Sequence, residues 1–391
     1  MTGVRTGLDR IADGDSEALH LVAGRNVGLL AHAASIDRKL RSAYRVLRQA
    51  GVRVSALFGP EHGFAGAAQD MVGIGIRDEA NIPVYSLYGN DVGDLSPNPE
   101  WLRGLDAIVI DLQDVGSRYY TYVWTAALTM KVAADLGIEV VLLDRPNPLG
   151  GVRVEGAPQR EGYLSFVGLY PVSVRHGLTV AELLLWVCER ERIDRSVLRI
   201  VPMEGWKRSM EWKDTGLPWV MPSPNMPTFD TALVYPGGCV VEGTTLSEGR
   251  GTTRPFELWG APGLDVGPIL DLDLHGATLR PMEFTPTFHK HAGRTCAGVQ
   301  VHVTDPWVFR PYEAYLRMLA AALPQLAAES RWRTEVYEFV SDRPAVDLLT
   351  GGPEFRIAVD RGASLDEVLA EEARGAAKFE DERRVAWLYE K

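Results

Sequence analysis

The chain is 391 residues long, with 46% hydrophobic and 24% charged residues and a formal net charge of -11. This is an ordinary globular composition, and at roughly 100–200 residues per domain it predicts two domains with a core that needs no staples. The acidic balance argues against a nucleic-acid partner, which would demand a basic face, but not against an anionic small molecule held by a few local arginines.

The start of the chain lacks the uninterrupted apolar run of a secretory signal, and no segment approaches the ~18 apolar residues of a membrane span. The expectation is a cytoplasmic protein with no membrane association. Cys188, Cys239 and Cys296 are dispersed and odd in number, which reads as reduced thiols in a core and not as a disulfide framework.

In chain order, the first half repeats an apolar run, a polar loop and a helical segment. The runs are Val27–Ala31, Val54–Phe58, Val84–Tyr88, Ala107–Leu112 and Val140–Leu143. They are continuous and not alternating, as in strands covered on both faces of a parallel sheet. Helices are predicted over Ile36–Ala50 and Thr125–Leu136, closed by Gly51 and Gly137. Another opens with the capping box Thr179-Val-Ala-Glu182 and runs to about Arg190. The alternation implies a Rossmann-like, doubly wound, mostly parallel α/β sheet. The Pro-, Met- and Trp-rich stretch from Trp212 to Phe229 marks the boundary, giving domains 1–227 and 228–391. The second is read as smaller and α+β, with a strand at Val299–Val303, a helix at Pro311–Leu323 with Pro first, and a capping box at Ser364-Leu-Asp-Glu367.

Ligands of an open parallel sheet bind beyond the carboxyl ends of its strands. Successive strands there deliver Gly59-Pro-Glu-His-Gly63, then Asp111, Asp114, Arg118, Tyr119 and Tyr120, then Asp144-Arg-Pro-Asn-Pro148. Carboxylates, planar donors and aromatic rings on one rim suit a sugar. Two later clusters are Pro222-Ser-Pro-Asn-Met-Pro227 and the stretch Glu242-Gly-Thr-Thr-Leu-Ser-Glu-Gly-Arg-Gly-Thr-Thr-Arg254, rich in glycine and hydroxyls like a substrate-cradling loop. Each has a plainer reading. Glu61 could cap a turn, Asp111 could pair with Arg118, Asp144 and Asn147 could fix a turn, and Glu248 could only pair with Arg250. At least one of Tyr119, Tyr120 and Tyr122 is expected in the core. No P-loop, dinucleotide fingerprint or nucleophile elbow is present. His289-Lys-His291 lacks a neighbouring Cys or carboxylate at ligand spacing, so no metal and no organic cofactor is expected.

At these residues the sequence resembles the NamZ-type exo-β-N-acetylmuramidases, formerly a domain of unknown function. The resemblance covers nearly the whole chain. It rests on Gly59-Pro-Glu-His-Gly-Phe64, Asp111–Tyr122, Asp144–Pro148, Pro222–Pro227, Glu242–Phe256, Pro286-Thr-Phe-His-Lys290 and Gly298–Thr304. It implies a Rossmann-like N-terminal domain, a smaller C-terminal α/β domain, an active site between them, and release of N-acetylmuramic acid from non-reducing ends of peptidoglycan fragments. The best-known relatives carry an export signal, from which this chain departs.

Glycoside cleavage usually needs two carboxyl groups. Glu61 is the expected general acid, tuned by His62. The second acid is sought among Asp111, Asp114, Asp144 and Glu242, unless the substrate's own 2-acetamido group attacks. The lactyl carboxylate of muramic acid calls for a bidentate cation, with Arg118, Arg145 and Arg250 as candidates. Tyr119, Tyr120, Asp144, Asn147, Asn225 and Glu248 complete the expected binding set, and the sheet-edge acids should share one cleft with Glu242. The rivals are a catalytically dead sugar-binding module and a hydrolase of another cell-wall bond.

Overall fold

The computed structural model describes residues 3–63, 82–89 and 91–390; Phe64 of the first motif lies outside them. Six strands, β1 (Asn26–Ala31), β2 (Arg53–Gly59), β3 (Val84–Ser86), β4 (Ala107–Asp111), β5 (Glu139–Leu143) and β6 (Leu198–Val201), form a parallel sheet ordered β3-β2-β1-β4-β5-β6. This is the Rossmann strand order, with its switch point between β1 and β4. Alternate residues serve opposite faces. Leu30, Phe58, Ile110 and Leu142 join one hydrophobic cluster, and Leu29, Leu57, Val109 and Val141 join the other. Covering on both faces is why these strands are continuous apolar runs.

Three of the cap signals hold. Thr179 and Glu182 close the reciprocal box that opens α3 (Val180–Glu191), and Gly51 and Gly137 take left-handed φ of 79° and 69° behind α1 (Ala43–Gln49) and α2 (Tyr122–Asp135). Other signals shift or fail. The helix expected from Ile36 starts only at Ala43, because the Asp37 carboxylate accepts from the Lys39 and Arg41 amides at 3.0 and 2.8 Å and folds a turn instead. Ser42 then caps α1. The strand expected to Tyr88 ends at Ser86, on a half-buried sheet edge with one neighbour. Ser364 forms no capping box with Glu367; its hydroxyl bonds within Ser364–Asp366, and Leu365 stands at the N-cap of the helix Asp366–Glu382.

The later part of the chain contributes α4 (Phe229–Gly238), α5 (Pro311–Ala322) and an antiparallel sheet ordered β7-β9-β8, from Leu258–Ala261, Cys296–Val303 and Ala277–Phe284. Its core is not separate. Val299, Tyr315, Leu319 and Leu349 belong to the cluster that contains Leu30 and Ile110. No described helix is long and apolar enough to cross a membrane.

Between β5 and α3 the chain runs from Asp144 to Thr179 with only the short 3-10 turn Glu161–Tyr163, and most of it is buried. Its backbone carbonyls need partners, and four fully buried arginines supply them. Arg118 donates to the carbonyls of Ala157 (3.1 Å) and Val172 (3.0 Å), and Arg175 to that of Leu149 (2.6 Å). Arg208 donates to Gly151 (3.2 Å) and Gly177 (2.5 Å). Arg383 reaches Gly151, Val152, His176 and Gly177 at 2.6–3.3 Å. Arg383→Met, which keeps bulk but removes these donors, should destabilise the protein by about 3 kcal/mol or more in denaturant titrations. A change within experimental scatter would mean that water replaces the guanidinium there.

Candidate active site

β2 hands the chain to a tight turn closed by the Gly63 amide on the Pro60 carbonyl at 2.8 Å, with His62 at a left-handed φ of 68°. The turn holds Glu61 in the interior. Its Oε2 accepts from the Thr121 hydroxyl at 2.8 Å, and its Oε1 lies 3.9 Å from His62 Nε2. Thr121 immediately precedes α2, so the carboxylate is fixed by the loop that leaves β4. The Tyr122 hydroxyl donates to the Pro222 carbonyl at 2.8 Å and thereby draws the boundary segment, with Ser223 and Asn225, to the same place.

The later part of the chain closes the other side. After α4 a 3-10 turn, Cys239–Gly243, presents Glu242. Its Oε1 accepts from Arg250 at 2.7 Å and its Oε2 from the Tyr337 hydroxyl at 2.9 Å. Beneath it, buried Glu248 pairs with His289 Nδ1 and Lys290 Nζ at 2.9 Å each and with Arg250 Nε at 3.5 Å. Burial alone would raise the Glu248 carboxyl, but Lys290, His289 and Arg250 outweigh it and hold it well below the usual carboxylate range. Lys290 also donates to the carbonyls of Val241, Glu242 and Leu246 at 3.1, 3.2 and 3.1 Å, pinning the turn that carries Glu242.

One cavity of about 480 Å³ results. Of the residues expected at the site, it brings together Glu61, His62, Tyr119, Tyr120, Asn225, Glu242 and Arg250. The sheet-edge acid and the later loop therefore meet. The remaining expected residues do not line it. Asp111 forms a fully buried pair with Arg145, whose Nη2 lies 2.8 Å from Asp111 Oδ2 and 2.8 Å from the Ile36 carbonyl. Arg145 lines a different cavity, of about 310 Å³, with Gln113 and Trp212. Asp114 accepts from the Gly116 amide at 2.7 Å and lies 3.4 Å from His176. Asp144 accepts from the Ala181 amide and the Tyr389 hydroxyl, and burial pushes its carboxyl up to about 7. Asn147 bonds the Leu149 amide and Leu178 carbonyl, Arg118 is held by the loop carbonyls, and Glu248 sits one layer below.

The cavity also holds residues the motif reading passed over: Thr121, Tyr235, Phe256, Tyr337 and Glu338. Tyr337 and Glu338 lie in a stretch without glycine or recognisable spacing, so no sequence signal marks them. His289 and His291 diverge, His291 Nε2 meeting the Thr245 carbonyl at 2.9 Å, and among the described residues no group of three or more His, Cys, Asp or Glu could hold a metal ion.

Residues 27–230 match the family described as exo-β-N-acetylmuramidase NamZ, N-terminal, and residues 233–389 match its C-terminal counterpart. The peptidoglycan β-N-acetylmuramidase NamZ of Bacillus subtilis (strain 168) is 39% identical over 393 residues, covering 99% of this chain and 91% of that protein. Two solved DUF1343 family proteins from Bacteroides fragilis match over 100% of both chains, one at 30% identity with a TM-score of 0.88 and one at 25% with 0.73.

Behind the cavity, the His32 ring contacts Tyr122 edge-on at 4.9 Å, and its Nε2 accepts from the Gln113 amide at 2.9 Å. Burial, and then the Arg145 charge, push this imidazole down to about 3. The folded-state value lies below the unfolded one of ~6.5. The neutral ring therefore contributes stability above pH ~6.5 that is lost as pH falls toward 3, by at most ~1.4 kcal/mol per unit. His32→Gln, whose amide oxygen can still accept from Gln113, should flatten the fall of unfolding free energy between about pH 6.5 and 4. Parallel curves for the two proteins would assign that titration to another group.

Proposed function

The chain belongs to the NamZ family of exo-β-N-acetylmuramidases, and on that premise we propose that it hydrolyses terminal, non-reducing N-acetylmuramic acid from peptidoglycan-derived saccharides in the Glu61–Glu242 cavity. The observation that carries this reading is the meeting of Glu61, at the carboxyl end of the parallel sheet, with Glu242 and Arg250 of the later loop in one cavity. Glycoside cleavage requires carboxyl groups gathered around the scissile bond, and this cavity gathers them.

Glu61 is the general acid. It is buried at the carboxyl end of β2, with the Thr121 hydroxyl on one oxygen and the His62 ring beside the other, a position from which a carboxyl group can give a proton to the departing oxygen. Glu242 stands between Arg250 and Tyr337 and orients the sugar. Tyr119, Tyr120 and Asn225 supply faces and amide contacts for the ring. Of the three arginines expected to meet the lactyl carboxylate, Arg250 alone is in this cavity, so it is the proposed clamp.

Mass spectrometry of a MurNAc–GlcNAc disaccharide digest should show free N-acetylmuramic acid; an intact disaccharide after prolonged incubation would refute the activity. Glu61→Gln should lower turnover by roughly 10²–10⁴-fold, and much less on an aryl glycoside whose leaving group needs little protonation. Equal losses on both substrates would assign proton donation elsewhere. Arg250→Lys keeps a charge beside Glu242 but loses the planar fork, so it should reduce the preference for muramic over glucosaminic glycosides by about 10-fold or more. An unchanged ratio would leave lactyl recognition to shape.

A further inference from the structure

Glu338 enters the cavity on a turn that its own residues disfavour. The Tyr337 amide donates to the Val340 carbonyl at 3.0 Å and the Val340 amide to the Tyr337 carbonyl at 2.9 Å, closing a two-residue hairpin. Its central residues, Glu338 and Phe339, have φ of 45° and 67°. Both therefore take the left-handed conformation that such a hairpin normally gives to Asn and Gly. Strain of this kind persists only where the surroundings enforce it, and it gathers at functional sites. Here the surroundings are visible. The Phe339 ring lies 5.9 Å from that of Tyr88, beyond the end of β3, and the Tyr88 hydroxyl is 3.4 Å from Glu338 Oε2. Tyr337, the residue before, holds Glu242. The hairpin thus ties the later part of the chain to the edge of the parallel sheet and leaves Glu338 in the cavity wall, 5% exposed, with Glu61, Glu242 and Arg250.

Glu242 has an internal partner on each oxygen, a guanidinium on Oε1 and a phenol on Oε2. Those two contacts fix its orientation, which suits a group that holds the sugar. We propose that Glu338 is the second catalytic carboxylate, the group in the cavity wall that stabilises the positive charge developing on the sugar as the glycosidic bond breaks. This rests on the muramidase reading above. The oxocarbenium-like transition state of glycoside hydrolysis is the species such a charge favours over the ground state. Unlike proton donation, this contribution is needed whatever the leaving group.

Glu338→Asn separates the catalytic role from a structural one, because Asn accepts a left-handed φ more readily than Glu. The variant should melt at the same temperature as the parent or higher, while kcat falls by about 100-fold or more on both the MurNAc–GlcNAc disaccharide and a MurNAc aryl glycoside, with KM altered only a few-fold. Glu338→Gln, which keeps length and removes only charge, should show the same loss on both substrates, in contrast to Glu61→Gln. If either folded variant retains kcat within about threefold of the parent on the aryl glycoside, the proposal is overturned while the muramidase reading stands. If the parent itself releases no muramic acid from either substrate, that reading fails and takes this one with it.

Discussion

The interaction on which the architecture depends is a buried guanidinium donating to main-chain carbonyls. A connection as long as 144–179 is expected on the surface, because an interior loop leaves polar groups without water. In this protein it runs inside, and Arg118, Arg175, Arg208 and Arg383 take the place of water. Arginine suits the task, since its planar fork offers several donors from one rigid group and keeps its charge when buried. Burial pulls Arg175 and Arg383 down only to about 10, so both remain cations at neutral pH. The connection they fix carries Val167 into the cavity wall, and the shape of the cavity follows from clamps that do not touch it.

The cavity itself is organised by contrast between its two sides. On the later loop, Glu242 and Glu248 are interleaved with Arg250, Lys290 and His289 in a lattice of close charge pairs. Such pairs hold geometry even where their net stabilisation is small. On the sheet side, Glu61 has a hydroxyl and an imidazole. The two sides thereby hold their carboxylates through different elements, the sheet edge and the later loop.

Much of this was legible in the residue pattern, for identifiable reasons. Continuous apolar runs such as Ala107–Leu112 announce strands buried on both faces, and the Thr179–Glu182 box announces a helix start, because both signals are local. Glu61 and Glu242 could be singled out because each follows a strand or glycine-rich turn where ligands gather. The pattern could not distinguish a polar side chain that meets a ligand from one that meets its own backbone. Arg118, Asp144 and Asn147 stand in motifs at the sheet edge, yet their partners are the Val172 carbonyl, the Ala181 amide and the Leu178 carbonyl, contacts fixed only once a distant loop has folded back. Asp111 was weighed as a partner of Arg118 and instead meets Arg145. Glu338 was invisible for the opposite reason: its turn contains neither Asn nor Gly, so the feature that places it contradicts local preference.

The last residues of the chain return to the first domain-sized half. The Leu388 amide meets the Glu182 carboxylate at 2.9 Å, the Tyr389 hydroxyl meets Asp144 at 2.6 Å, and the Arg208 amide meets the Glu390 carbonyl at 3.1 Å. These partners are synthesised well after the groups they meet. Until then Asp144, at the end of β5, and Glu182, at the head of α3, lack a contact that the finished interior gives them, and Arg383 is not yet present to hold the connection between them. Domains ordinarily mature in order of synthesis. In this chain the early sheet precedes these partners in synthesis, and the contacts that complete its interior wait for residues 383–390.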